Sequence, residues 1–187
     1  MFLFLWCYIS CTFWSFDRAA WADDKKLFFL SPTIDWYFPT SGKVRDAFGS
    51  AWMGFGVSLN MEAFGWQESS LKIGGVKFFP YMGYFHADEG DNDAYIIPLG
   101  LETRWTLREQ DDMRFYLGLG LSGYGVKFDD RSAGVDSGWK AAFGGRVLLG
   151  MDVTRWLNIH AAYNAITDVS GYDFGGFSAG AKIKIYF

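Results

Sequence analysis

Residues 175–187 read GGFSAGAKIKIYF and alternate apolar and polar side chains with a period of two residues. One set of positions holds Phe177, Ala179, Ala181, Ile183, Ile185 and Phe187, and the other holds Ser178, Gly180, Lys182 and Lys184. A two-residue period predicts a β-strand with one apolar and one polar face. Such a strand fits a water-soluble sandwich, with its apolar face inward, or a membrane barrel, with its apolar face toward lipid.

Eight apolar-alternating segments of this kind follow residue 25. We place them at residues 26–38, 51–64, 71–85, 94–108, 114–128, 139–154, 156–166 and 174–187. Most of them match the roughly 9 to 11 residues that a tilted membrane strand needs. The connectors at 39–50, 86–93, 129–138 and 167–173 are long and polar, and those at 65–70, 109–113 and 155 are short. Long loops on one side and short turns on the other are typical of membrane barrels.

Glycine on the polar face distinguishes the two folds. The second segment carries Gly54 and Gly56 on the same side as Ser58. Glycine weakens an exposed sheet surface, whereas the crowded interior of a narrow barrel needs small residues. A charge facing lipid would cost about 2 to 4 kcal/mol at the membrane midplane, so we expect Arg146 and Lys182 to point inward. The sequence therefore predicts an all-β fold, an eight-stranded antiparallel transmembrane β-barrel with up-and-down meander topology, over residues 23–187.

The first 22 residues predict a cleaved signal peptide. Residues 1–16 form an apolar run, and Ala20-Trp21-Ala22 fits a small-x-small cleavage pattern. No Lys or Arg precedes this run, so an uncleaved anchor is the alternative. Both cysteines, Cys7 and Cys11, lie in the segment, which excludes disulfides and cysteine-based metal sites from the mature chain. The net charge of −4 offers no basic patch for nucleic acid.

Aromatic residues near the predicted strand ends indicate two girdles at the membrane interfaces. They are Trp36, Phe38, Trp52, Trp66, Phe85, Tyr95, Trp105, Phe115, Phe128, Trp139, Trp156 and Phe187. Pro80 and Pro98 each remove a ladder donor, so we expect bulges there. A further register shift is expected at Gly74-Gly75, because Lys72 and Lys77 on either side have opposite parity.

Four short stretches carry a family resemblance: YIIPLGLETRW at 95–105, FYLGLG at 115–120, FGGR at 143–146 and LNIHAAY at 157–163. They resemble the small outer-membrane β-barrel proteins, which include the barrel domain of outer membrane protein A and outer membrane proteins X and W. The resemblance implies eight strands, periplasmic termini, four surface loops and a location in the bacterial outer membrane. It also implies contact with outer-membrane lipid and lipopolysaccharide, and with the barrel assembly machinery and periplasmic chaperones during biogenesis.

In that family the last strand carries the assembly signal. The matching positions here are Ile183, Ile185 and Phe187, although Ile185 stands where many relatives have an aromatic residue. We expect the folded protein to be a monomer.

The polar face predicts a charged network in the lumen. Its members are Asp35, Glu62, Glu102 and Asp152 against Arg104, Arg146, Lys182 and Lys184, with His160 among them. An unpaired charge in a low-dielectric interior costs several kcal/mol, so these groups must pair. Our first hypothesis is a salt-bridged plug in a protein with a structural or surface-interaction role, without catalysis, cofactor or metal. The alternative is that the same residues line a narrow gated pore for small solutes.

A lipid A-modifying enzyme is a second alternative. His160 is followed by Ala161 and Ala162, so the His-x-Ser arrangement of the deacylases is absent. His86 precedes the acidic run 88–93, which also suggests calcium but lacks the spacing of an EF-hand loop. The long connectors at 39–50 and 129–138 could contact a surface partner. A channel for hydrophobic molecules, like that of protein W, would need an apolar trough, and the charged inner face argues against one.

Overall fold

The computed structural model describes residues 29–59, 77–110 and 113–186. Its strands are β1 (Phe29–Pro39), β2 (Trp52–Leu59), β3 (Lys77–Glu89), β4 (Asn92–Gln110), β5 (Met113–Asp130), β6 (Val135–Asp136), β7 (Lys140–Asp152), β8 (Leu157–Ile166), β9 (Gly176–Ile183) and β10 (Ile185–Tyr186). A short helix, α1 (Gly42–Phe48), lies between β1 and β2.

Eight long strands form a closed antiparallel barrel, which confirms the predicted fold class. Strands that follow one another in the chain are neighbours in the sheet, in the order β1, β2, β3, β4, β5, β7, β8, β9. The barrel closes where β9 pairs with β1, with Gly180 opposite Asp35. β6 is a two-residue extension beside the end of β5. β10 resumes the last strand after Lys184 and pairs with the start of β1.

The two ends of the barrel differ. The connectors β1–β2, β3–β4, β5–β7 and β8–β9 leave the barrel at one end, here called the loop end. The start of β1 and the end of β10 meet at the other end, here called the terminal end, where Phe29 pairs with Tyr186. The position of an inward side chain along its strand therefore gives its height in the lumen between these two ends.

The predicted alternation of inner and outer side chains is also confirmed. Leu121 and Phe143 are 77% and 71% exposed on the outer face, whereas the inward neighbours Ser122 and Ala142 are 7% and 3% exposed. An outer face this rich in exposed apolar side chains fits contact with lipid rather than with water.

Two predictions about connectors and bulges are wrong. Residues 86–93 form a hairpin rather than a long loop, because β3 and β4 remain paired as far as Glu89 and Asn92. Gly90 has a φ of 65° in the two-residue turn, a conformation that glycine adopts without strain. The β3–β4 register is the same on both sides of Pro80 and Pro98, although pairing is interrupted at Gly83 and Tyr84, opposite Pro98. The register shift lies instead in the β4–β5 ladder, between Thr106 and Arg108.

The aromatic girdles are smaller than predicted. Trp36, Trp105, Trp139 and Trp156 lie on the outer face, between 39% and 57% exposed. Three of the predicted girdle members point into the lumen and are buried, namely Trp52, Phe85 and Phe128. Position near a strand end does not decide orientation, because the side-chain parity of the strand does.

Some predictions fall outside the described residues. They are the signal peptide at 1–22, the inward position of Glu62, the girdle position of Trp66, the register at Gly74-Gly75 and the terminal Phe187. Along the part of the chain that the structure describes, no helix is long and apolar enough to cross a membrane.

Candidate functional site: the barrel lumen

The centre of the lumen holds one carboxylate surrounded by three cations. Glu102 is fully buried, and its carboxylate forms ion pairs with Arg104, with Arg146 at 3.5 Å and with Lys182 at 3.6 Å. We call these four residues the ionic layer. Lys182 projects from β9, which lies four strands from β4 in either direction around the barrel, so its contact with Glu102 spans the lumen.

Local sequence explains how the ionic layer assembles. Glu102 and Arg104 are two residues apart on β4 and therefore share the inner face. Arg146 lies two strands away, and Gly120 stands between them in the cross-strand row Glu102, Gly120, Arg146. A Cβ on Gly120 would lie 2.9 Å from Cγ of Arg146. Because Gly120 has no side chain, Arg146 can extend across β5 to the Glu102 carboxylate.

Aromatic rings flank the two guanidinium groups. Arg104 lies 4.3 Å from the ring centroid of Phe79 and 5.0 Å from that of Tyr116, and Arg146 lies 4.8 Å from that of Tyr81. Arginine stacks favourably on aromatic faces, which partly replaces the hydration lost on burial. The ionic layer is thus supported on its faces as well as through its central carboxylate.

His160 and Asp35 form a second polar contact in the lumen. Nε2 of His160 lies 2.8 Å from Oδ1 of Asp35, although the N–H direction falls outside hydrogen-bond geometry. The two residues come this close because Gly180, which has no side chain, stands between them in their cross-strand row. The His160 side chain is fully buried.

Asp152 forms the third group of polar contacts in the lumen. Its Oδ1 atom lies 2.8 Å from Nζ of Lys184 and accepts a hydrogen bond of 2.8 Å from the amide of Asn158. The hydroxyl of Tyr116 donates to Oδ1 of Asn158 at 3.0 Å. This chain of contacts extends the polar interior from the ionic layer toward the terminal end.

The loop-end half of the lumen is apolar instead of charged. Eight buried aromatic side chains lie there, including Tyr124. The seven whose rings contact one another are called the aromatic plug: Tyr37, Phe48, Trp52, Phe85, Phe128, Tyr172 and Phe174. Phe48 comes from α1, while Tyr172 and Phe174 come from the β8–β9 loop. The rings contact one another at stacked, tilted and edge-on angles. The centroids of Phe48 and Phe128, for example, lie 5.7 Å apart with the rings edge to face.

Polar bonds hold the two loops of the plug in place. Tyr172 donates to Oδ2 of Asp130 at 2.7 Å, and Lys43 of α1 donates to the carbonyl of Gly171 at 3.1 Å. The amide of Asn92 in the β3–β4 turn donates to the carbonyl of Ala47 at 2.9 Å. The plug is therefore tied to the rim of the barrel on several sides.

The structure brings most of the predicted lumen residues together. Asp35, Glu102, Arg104, Arg146, Asp152, His160, Lys182 and Lys184 all face the interior, in three groups of contacts. Ile183 and Ile185 lie on the outer face. The aromatic plug was missed, although the inward parity of Trp52 with Gly54 and Ser58 was a signal that could have revealed it.

The acidic run at the β3–β4 turn forms part of a cross-strand row. Asp88 pairs with Asp93, Asp93 with Asp129, and Asp129 with Asp136. Among the residues that the structure describes, no three side chains of the His, Cys, Asp or Glu types are arranged to hold a metal ion.

Comparison with known proteins identifies the architecture. No family model matches the sequence, and no curated protein matches it. The solved structure of neisserial surface protein A superposes with a TM-score of 0.60 at 20% identity, covering 84% of this chain and 97% of that one. The chain has the fold of the small outer-membrane β-barrels.

A second solved structure supports the same conclusion about the fold. The outer-membrane enzyme PagL superposes with a TM-score of 0.52 at 12% identity, covering 83% of this chain and 99% of that one. Because these identities are low, the likeness concerns the fold. The barrel, with its apolar outer face, fits a location in the bacterial outer membrane.

Proposed function

We propose that this protein is a non-conducting barrel of the bacterial outer membrane, with a structural or surface-interaction role at its loop end. The observation that carries the proposal is the ionic layer, in which fully buried Glu102 joins Arg104 and Arg146 to Lys182 on the opposite wall. Side chains that meet across the lumen of an eight-stranded barrel leave no room for an open aqueous path.

The aromatic plug supports the same proposal at a second level. Phe128 and Phe174 are fully buried, as is Tyr37 apart from 1% of its surface. An ion entering from the loop end would have to displace packed rings and lose its hydration before it reached the ionic layer. Both steps are unfavourable. Exposed charges on α1, including Arg45 and Asp46, remain available for contact with a partner outside the cell.

Burial of His160 argues against the alternative of a lipid A-modifying enzyme. Its side chain is fully buried in the lumen beside Asp35, so a lipid substrate outside the barrel does not reach it. General acid or base catalysis requires the group to lie within hydrogen-bond reach of the substrate. His86 lies on the outer face, where its ring stacks on Tyr95 with centroids 4.6 Å apart.

Single-channel recording tests the proposal. Folded protein is reconstituted in planar lipid bilayers, and insertion is verified by protease protection of the same preparation. We expect no steady conductance. A reproducible single-channel current from the wild-type protein would support the gated-pore alternative instead.

Mass spectrometry of lipid A tests the enzymatic alternative. Cells that overproduce the wild-type protein are compared with cells that overproduce His160→Gln and with cells carrying an empty vector. We expect three identical lipid A spectra. A mass change that appears with the wild-type protein and disappears with His160→Gln would establish an enzyme.

A further inference from the structure

A small cavity lies inside the barrel between the ionic layer and the aromatic plug. Its volume is about 30 Å³, and its lining includes Asp35, Tyr124, Arg146 and His160. Tyr37 and Phe85 of the plug bound the cavity as well, together with Lys182 of the ionic layer. The cavity thus occupies the level at which the charged half of the lumen meets the apolar half.

Apart from Nε2 of His160 and Oδ1 of Asp35, which lie 2.8 Å from each other, three buried polar atoms on residues that line this cavity have no hydrogen-bond partner among the described residues. They are Nε of Arg146, Nδ1 of His160 and the hydroxyl oxygen of Tyr124. The Arg146 side chain is 8% exposed and that of His160 is fully buried, so bulk water does not satisfy them. A buried polar atom without a partner costs about 1 to 3 kcal/mol, and three around one cavity call for a common partner.

The dimensions and chemistry of the cavity match water. One water requires about 10 to 15 Å³ of such space and two to four polar partners. A cavity of about 30 Å³ therefore accommodates one or two water molecules. We propose that this cavity is a built water site, in which an ordered water links Arg146 to His160 and Tyr124.

The donors and acceptors at the site favour an uncharged guest that both donates and accepts. Nε of Arg146 can only donate, and Tyr124 can do either. Nδ1 of His160 accepts in the tautomer that carries its proton on Nε2, the nitrogen that lies 2.8 Å from Asp35. A halide ion accepts but does not donate, so it would leave Nδ1 of His160 unsatisfied. The two cations of the lining, Arg146 and Lys182, already pair with Glu102, whereas the Asp35 carboxylate in the same cavity repels an anion.

A water at this position connects two groups that are otherwise separate. Arg146 belongs to the ionic layer through Glu102, and His160 belongs to the contact with Asp35. The proposed water joins the two through hydrogen bonds, and water-mediated bonds of this kind are nearly as favourable as direct ones. The ionic layer and the His160–Asp35 contact then form one continuous polar network on the terminal side of the plug.

A crystal structure of the wild-type protein grown in sodium bromide tests the proposal without a substitution. We expect water density within hydrogen-bond distance of Nε of Arg146 and Nδ1 of His160, with no anomalous bromide signal in the cavity. A dry cavity would overturn the proposal, and so would a bromide peak at this position.

Two matched substitutions test whether Tyr124 holds the water. Tyr124→Phe removes one hydroxyl that lines the cavity, whereas Tyr116→Phe removes a hydroxyl that bonds to Asn158 elsewhere in the lumen. We expect the water density to weaken or shift in Tyr124→Phe crystals and to remain unchanged in Tyr116→Phe crystals. Equal occupancy and position in both variants would contradict the assignment of Tyr124 to the site.

Discussion

At the scale of single residues, Glu102 is the side chain on which the interior depends most. It is the central carboxylate for Arg104, Arg146 and Lys182, and it is completely buried. Replacement by glutamine keeps its size but leaves three buried cations without their counter-charge. Breaking a buried ion pair from one side costs about 3 to 5 kcal/mol, because the remaining charge stays desolvated.

We therefore expect Glu102→Gln to lower the free energy of unfolding by about 3 to 5 kcal/mol. The measurement is reversible urea unfolding in lipid vesicles, followed by tryptophan fluorescence. Glu89→Gln is the matched control, since Glu89 is exposed beside the β3–β4 turn. A Glu102→Gln protein as stable as the Glu89→Gln protein would contradict a structural role for the ionic layer.

Tyr172 is expected to make the stability of the loop end depend on pH. Burial and the hydrogen bond to Asp130 raise the pKa of Tyr172 to about 12. An unfolded tyrosine has a pKa of about 10, so the folded state binds this proton more tightly. The resulting stabilisation is complete below the unfolded pKa and is lost as the pH rises through the folded pKa. Lys43, whose Nζ lies 3.7 Å from the Tyr172 ring centroid, packs on the same side chain.

Ultraviolet absorbance between about pH 9 and pH 13, a window that extends about one unit beyond these two values, measures this titration. The difference between wild-type and Tyr172→Phe spectra isolates the one tyrosine. We expect its ionisation midpoint near 12, as burial against Asp130 requires. A midpoint near the ordinary value of about 10 would show that the β8–β9 loop leaves Tyr172 in contact with water.

At the scale of elements, glycine determines how the strands fill the lumen. Long inward side chains stand beside a glycine on the neighbouring strand, as in the rows Asp35, Gly180, His160 and Glu102, Gly120, Arg146. A Cβ on Gly180 would collide with the Asp35 carboxylate and with the backbone of Ile34. The long inward side chains thus occupy the space that the neighbouring glycines leave free.

We expect Gly180→Ala to destabilise the barrel by about 1 to 3 kcal/mol, as overpacking of a filled interior does. Gly123→Ala is the control, because a Cβ there meets no atom within 4 Å on the outer face. Both proteins are compared by urea unfolding in vesicles. Equal stability of the two variants would mean that the lumen is loosely packed at this level.

The helix α1 contributes to the aromatic plug through one ring. Phe48 is 1% exposed and contacts Trp52, Phe128, Tyr172 and Phe174. Its replacement by alanine leaves a cavity among rings from several elements. Phe-to-Ala changes in cores lower the free energy of unfolding by about 3 to 5 kcal/mol.

We expect Phe48→Ala to release the β1–β2 connector and to make residues 40–51 sensitive to protease added outside intact cells. Phe143→Ala, on the lipid-facing surface, should leave that connector protected. Cleavage rates of the two variants and the wild-type protein give the comparison. Rapid cleavage of the wild-type connector would show that the plug does not hold α1 in place.

At the scale of the whole molecule, closure of the barrel predicts resistance to detergent. Each long strand pairs on both sides because β1 joins β9, so the sheet has no free edge at which unfolding begins. We expect the protein in outer-membrane fractions, with a gel mobility in detergent that changes on boiling. Recovery as a soluble periplasmic protein without a mobility change would contradict a membrane barrel.

The alternation of apolar and polar residues, by itself, determined the fold class and the inward direction of Glu102, Arg146, His160 and Lys182. It did so because a strand has only two faces, and lipid excludes charge from one of them. The tertiary structure alone decided which charges meet, since Glu102 and Lys182 are far apart in the chain and join across the lumen.

The division of the lumen into a charged half and an apolar half was likewise decided by the tertiary structure. Phe48 and Phe174 belong to connectors, whose residues have no strand parity, and they enter the barrel because its loop-end interior is lined by Trp52, Phe85 and Phe128. Burial of these rings against one another depends on loops folding back over the rim, and no local pattern in a sequence encodes that return.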